Sequence, residues 1–213
     1  MRERINSILI EGASTAAGWY DKDHGGWAAR LHTGTMTYNE RKPYFPFLVM
    51  NRARPGTTIT SINAMLPCHL RETVDNTTVV LQTGMNEAKV NTLSGHEIMG
   101  ESEFADQLYT FANMCQAHGA AVLFVASQPL NAEQMTIPTA NLRIEDAAMA
   151  RRAAIMGKVA ADAGEAFLDT RAIFTAAGTE NVICDVDNAH PNERGHAVLA
   201  QHISIALRSI GAL

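Results

Sequence analysis

Ser14, Asp187 and His190 are the residues of this chain whose types can combine into nucleophilic chemistry. A serine hydroxyl is a weak nucleophile at neutral pH. It needs a base to take its proton and a carboxylate to orient that base. Asp187-Asn188-Ala189-His190 offers both within one short stretch. That spacing lets the carboxylate reach the imidazole of its own loop and fix its tautomer, leaving the other ring nitrogen to face Ser14. Gly56 has a backbone N–H, and Asn86 a side-chain amide, to offer a developing oxyanion. Each residue also has a plain structural role open to it. Ser14 suits a helix N-cap, Asp187 and His190 a surface ion pair, and Gly56 and Asn86 turn positions. Asp185 competes with Asp187 as the orienting carboxylate, and the spacing to His190 favours Asp187.

The elements that must position these residues follow from hydrophobic pattern and punctuation. Ile5 to Ile10 is a short apolar run that ends at Gly12, and a serine follows two positions later. It predicts a first strand that delivers Ser14 to the open end of a sheet. Further strands are predicted at Phe45–Val49, Thr77–Gln82, Ala121–Ala126 and Ala166–Asp169. Helices are predicted at Trp27–Leu31, from Thr57 or Thr58 to about Leu70, at Glu103–His118, Ile144–Ala163 and Glu193–Ile210. Lys89–Gly100, Pro129–Pro138 and Asp185–Pro191 read as loops, the first long enough to be functional.

Strands alternating with helices imply a parallel sheet covered on both faces, whose ligand sits beyond the carboxyl ends of the strands. Ser14, Gly56 and Asn86 each follow a predicted strand, and Asp187 and His190 lie in the loop region after the fifth. All five can therefore meet on one edge. No repeat, low-complexity tract or linker interrupts residues 1–213, which predicts a single domain.

The charge balance, 17 Lys and Arg against 22 Asp and Glu, argues against nucleic acid or an anionic membrane as partner. No apolar run approaches the roughly 20 residues that span a bilayer. Met1-Arg2-Glu3-Arg4 is basic, but the apolar run after it is too short for a signal-peptide core, so a cytoplasmic location is expected. Cys68, Cys115 and Cys184 have no metal-like spacing and read as isolated, buried, inert thiols. His190, His196 and His202 do not share a helical face, so no metal site is expected. His196 reads as structural. Trp19 and Trp27 read as core, with a platform for a sugar or acyl group as the alternative. His24, Lys89 and His96 read as solvated loop residues, with substrate contact as the alternative.

Four blocks, in order and covering nearly the whole chain, resemble the SGNH hydrolases, also called the GDSL-type esterase/lipase family. Gly12-Ala13-Ser14 matches the first, where the family has Gly-Asp-Ser. Asn51 to Gly56 loosely matches the second. Gly84-Met85-Asn86-Glu87 matches the third, Gly-x-Asn-Asp. Asp187 to His190, followed by Pro191-Asn192 and Gly195-His196, matches the fourth. The resemblance implies an α/β fold, a three-layer α/β/α sandwich around a flavodoxin-like five-stranded parallel sheet. It also implies ester hydrolysis with no metal and no cofactor. Ser14 would be the nucleophile, His190 the base and Asp187 its orienting group. The N–H groups of Ser14 and Gly56 and the Asn86 amide would form the oxyanion hole.

Two positions depart from the family pattern, Ala13 and Glu87. Neither is a catalytic position in the family, so altered loop packing or substrate fit is expected rather than loss of activity. The Gly-x-Ser-x-Gly elbow of the α/β-hydrolases is absent, because position 16 is alanine. The expected activity is cleavage of small-molecule carboxylic esters. Acetyl on a sugar or other soluble alcohol is favoured, because a short chain without a lid-like insertion would leave the site exposed. Acyl transfer, thioester hydrolysis and a non-catalytic binding module are the alternatives.

Overall fold

Apolar side chains on both faces of the three central strands decide the architecture. The computed structural model describes residues 4–42 and 46–213. Its first half runs β1 (Asn6–Gly12), α1 (Gly26–Asn39), β2 (Phe47–Asn51), α2 (Ile59–Leu70), β3 (Asn76–Thr83), β4 (Lys89–Asn91) and α3 (Glu101–Ala117). Its second half runs β5 (Ala121–Ala126), β6 (Gln134–Ile137), β7 (Leu142–Glu145), α4 (Asp146–Ala163), β8 (Ala166–Leu168), α5 (Thr170–Ala177), α6 (Thr179–Val182) and α7 (Glu193–Ser209).

The main sheet has the order β2-β1-β3-β5-β8, and every neighbouring pair is parallel. Successive side chains alternate between its faces. Leu9, Val79, Leu81, Val122 and Phe124 pack against α2, α3 and α4. Ile8, Ile10, Val80, Leu123 and Val125 pack against α1, α5 and α7. Strands buried on both faces need unbroken apolar runs, and that is what made them readable. The strand order reverses between β1 and β3, and such a sheet opens a crevice for ligands at that switch point. The loops carrying Ser14 and Asn86 leave these two strands. The expected three-layer α/β/α sandwich with a flavodoxin-like sheet is the fold observed.

Several elements differ from expectation. A second sheet, β4-β7-β6, is antiparallel and three-stranded. It occupies parts of the stretches expected to be loops at 89–100 and 129–138. It also takes Ile144 and Glu145 from the start of the expected helix, because Ile144 pairs with Lys89 on one side and Met135 on the other. The first helix extends to Asn39, and α5 and α6 were not anticipated. Phe45, and Met1 to Glu3 at the N-terminus, lie outside the described residues; β2 begins at Phe47. Cys68 is exposed rather than buried. It follows Leu66 on α2 by two positions, which turns it away from the face that buries Leu66 and Leu70.

Candidate active site

Beyond β1 the chain bends sharply. Gly12 makes room for it, since a Cβ there would lie 2.9 Å from the Cβ of Ala16, which folds back over it, and 2.7 Å from the Gln82 carbonyl oxygen of β3. The bend is held by backbone bonds, Ala17 N–H to Ala13 O (2.9 Å) and Trp19 N–H to Ser14 O (3.1 Å). No carboxylate at position 13 is needed to make it. Ala13 instead borders a void of about 10 Å³ with Ser14, Gln82 and Ser127, about the space of one water.

The loop before α7 is also closed on itself. Cys184 N–H donates to His190 O (2.8 Å), Asn188 N–H to Cys184 O (2.9 Å), and Ile183 bridges Pro191. Within it, Asp187 Oδ1 accepts from the N–H groups of Ala189 (3.0 Å) and His190 (3.1 Å). Asp187 Oδ2 lies 2.6 Å from His190 Nδ1. His190 Nε2 lies 2.6 Å from Ser14 Oγ. Burial works against charge on Asp187, but the bonds from the imidazole and the two N–H groups outweigh it and hold its carboxyl below the ordinary range. An ionised Asp187 can only accept. Nδ1 therefore carries the proton, and Nε2 turns its lone pair toward the Ser14 hydroxyl. The rival, Asp185, is exposed.

Trp19 and Tyr20 flank the imidazole, with ring centroids 5.3 and 5.6 Å from that of His190. Tyr20 does so at φ +66°, a conformation that bulky side chains rarely adopt and that clusters at functional sites. Burial, and after it the nearby Asp187 carboxylate, raise the Tyr20 phenol above its usual pKa.

Asn86 Nδ2 donates one hydrogen to the Thr57 carbonyl (2.7 Å), which leaves the amide's second N–H. The next residue, Glu87, is fully buried. Its Oε1 accepts from Ile59 N–H (2.6 Å) and Thr83 Oγ1 (2.7 Å), and its Oε2 from Gly84 N–H (2.9 Å). Burial raises its pKa, against the pull of these bonds. The third-block departure is thus a carboxyl that holds the start of α2 and the turn before Asn86.

Ser14, Gly56, Asn86, Asp187 and His190 all line one cleft of about 300 Å³. Trp19, Met85, Lys89, Met135, Ile137 and Ile144 complete it. The five expected site residues are therefore brought together. Trp19, expected in the core, is 46% exposed at this cleft. Trp27 is in the core, its indole N–H donating to Gln82 Oε1 (2.8 Å). Tyr20, Met135, Ile137 and Ile144 were not singled out in the sequence. The adjacency of Tyr20 to Trp19 was the one available signal.

His196 is fully buried. Its Nε2 donates to the Trp19 carbonyl (2.7 Å), and its Nδ1 accepts from Trp27 N–H (3.2 Å). Asp21, His24 and Glu193 cluster near the surface, but Asp21 is already engaged by Arg30 (2.9 Å). Among the described residues, no helix is long and apolar enough to cross a membrane.

A sequence profile of the GDSL-like Lipase/Acylhydrolase family matches residues 11–198. Among solved structures the fold is similar to TesA, at 21% identity and TM-score 0.71, over 97% of this chain and 99% of that one. It is similar to the psychrotrophic esterase EstA from Pseudoalteromonas sp., at 16% identity and TM-score 0.70, over 96% and 97% of the two chains. It is also similar to Axe2, an acetylxylan esterase from Geobacillus stearothermophilus, at 16% identity and TM-score 0.71, over 99% and 97%. No curated protein matches the sequence significantly.

Proposed function

The chain belongs to the GDSL-like lipase/acylhydrolase family, and on that premise we propose that it is a serine hydrolase of carboxylic esters. The observation that carries this is the continuous relay from Ser14 Oγ through His190 to Asp187, with both contacts at 2.6 Å. Ser14 Oγ attacks the ester carbonyl while His190 Nε2 takes its proton. The tetrahedral oxyanion is met by the N–H groups of Ser14 and Gly56 and by the free N–H of Asn86. The carbonyl re-forms, the C–O bond to the alcohol breaks, and the alcohol leaves with the proton from His190. Water, giving its proton to His190, then attacks the acyl carbonyl; the bond to Ser14 Oγ breaks, Ser14 regains its proton from His190, and the acid leaves.

The substrates proposed are small acyl esters, such as acetyl groups on a sugar or other soluble alcohol. A cleft of about 300 Å³, at the small end of ligand sites, supports this. So does the likeness to an acetylxylan esterase. The unpaired cysteines suit a reducing compartment, and a cytoplasmic location is part of the proposal.

Ser14→Ala tests the reading. Turnover of p-nitrophenyl acetate should fall by at least about 10³-fold with the circular dichroism spectrum unchanged. A fluorophosphonate should label the wild type at Ser14. Undiminished turnover in the variant overturns the reading, and a folded wild type that neither labels nor turns over would leave a binding module. Product analysis with a competing alcohol separates hydrolysis from acyl transfer.

A further inference from the structure

The small sheet beside the cleft carries one more inference. In an antiparallel sheet, residues opposite one another share a face. Lys89 is opposite Ile144, and Ile144 is opposite Met135. Ile137 lies two positions beyond Met135 and shares that face. All four line the cleft that holds Ser14 and His190, while Val90, Arg143 and Thr136 occupy the other face. The sheet thus presents to the cleft a wall that is apolar except for one cation.

Among the described residues that cation forms no ion pair. The other partly buried cations hold carboxylates: Arg30 with Asp21, Arg143 with Glu145, Arg152 with Glu97, and Arg171 with Asp146. Among the described residues no carboxylate lies within 4.0 Å of the Lys89 amine. Its near neighbour Glu87 is occupied by three other donors. The chain has more acidic than basic side chains, so acidic partners are not scarce. Burial lowers the pKa of the Lys89 amine, with the Glu87 charge pulling the other way. A partly desolvated cation without a partner is stabilised by an anion that arrives from outside.

We propose that Lys89 is a specificity residue for anionic esters. The substrate carries a carboxylate-type group that pairs with Lys89 while its ester carbonyl sits at Ser14, and its apolar stem lies along Ile144, Met135 and Ile137. This rests on the serine-hydrolase reading above and names the substrate class within it.

The test has two arms, because the charge can sit on either side of the ester bond. In the acyl arm, the p-nitrophenyl monoester of glutarate is compared with p-nitrophenyl methyl glutarate. In the alcohol arm, 4-acetoxybenzoate is compared with its methyl ester. The wild type should favour the anionic member of at least one pair by roughly 10–100-fold in kcat/KM, the range of a charge-assisted bond. The preference should shrink as salt is raised. In Lys89→Met the anionic-to-neutral ratio should collapse toward one, and in Lys89→Arg it should largely return. A wild type that shows no preference in either arm, or a preference that survives in Lys89→Met, overturns the proposal. Turnover of neutral esters without discrimination removes only the role of Lys89. Absence of turnover with every ester removes the hydrolase reading as well.

Discussion

Glu87→Gln keeps the shape of the side chain and changes one acceptor oxygen into a donor. The carboxyl group serves two backbone N–H groups, Ile59 on Oε1 and Gly84 on Oε2, and the Thr83 hydroxyl on Oε1. Protonated or ionised, it offers two oxygens that can accept, and an amide offers one. If that oxygen faces Ile59, the amide nitrogen faces the Gly84 N–H. Turned over, it faces the Ile59 N–H, and only the Thr83 hydroxyl can accept from it. Either way one buried N–H is orphaned, which costs about 1–3 kcal/mol. In a chain of this size about 1 kcal/mol moves Tm by 2–4 °C, so Tm should fall by roughly 2–12 °C.

A pH signature accompanies the loss. Burial raises the Glu87 pKa, so the folded protein holds that proton more tightly than the unfolded chain does. The associated stability is present in full below the unfolded carboxyl value of about 4.3 and is lost as pH rises through the folded value. Glutamine has no such dependence. The gap between wild type and variant should therefore be widest in acid and narrow toward neutrality. Thermal unfolding followed by circular dichroism at about pH 5 and pH 7.5 reads both effects. A variant as stable as the wild type at the lower pH, or a gap that widens as pH rises, refutes the reasoning.

Asn86→Ala should lower kcat by about 10²–10³-fold, the usual loss for one oxyanion donor. A loss under about threefold removes that role. His196→Gln should flatten the acid side of the stability curve. Burial, chiefly, holds the His196 pKa below its usual value, aided by Arg30 and His190 and opposed by the Trp19 carbonyl and Asp21. The stability linked to a depressed pKa is present above the unfolded value of about 6.5 and is lost as pH falls through the folded one. A Tm that drops as steeply in the variant between about pH 7 and 5 contradicts this.

What could be read from the sequence, and what could not, divides along element length and pairing distance. β1, β3 and β5 pack both faces, so each appears as a run that no helix periodicity explains. The serine, aspartate and histidine stood out because the blocks that carry them match the family pattern in order; by residue type alone each also suited a helix cap or a surface ion pair. β4, β6 and β7 are three or four residues long, too short for a period-two pattern to stand out. They exist because Lys89-Val90-Asn91 finds a partner beyond α3 and β5. Ile144 read as helix because α4 follows it without a break. The tryptophans were undecidable by type. Trp27 sits on α1 over the main sheet with its N–H satisfied by Gln82, while the left-handed Tyr20 turns the Trp19 loop toward His190.

The blocks around Ser14, Gly56 and Asn86 are far apart in sequence, and one residue that none of the motif matches emphasises ties them together. The Thr57 hydroxyl reaches the Gly12 carbonyl (2.9 Å), two residues before Ser14, and shares its proton with the Arg54 carbonyl (2.8 Å). The Thr57 carbonyl accepts from Asn86 Nδ2 (2.7 Å). Its own chain neighbours are Gly56 on one side and the start of α2 on the other. Glu87 closes the circuit by accepting from Ile59 N–H in the first turn of α2 and from Gly84 N–H before Asn86. Each donor proposed for the oxyanion is thus held by bonds to the segment that carries another. A glutamate at position 87 fits this arrangement, because one side chain spans from the turn after β3 to the beginning of α2. The positions that depart from the family pattern therefore leave the relay untouched: Ala13 gives way to backbone bonds, and Glu87 secures the frame that holds Asn86 and Gly56 at the cleft.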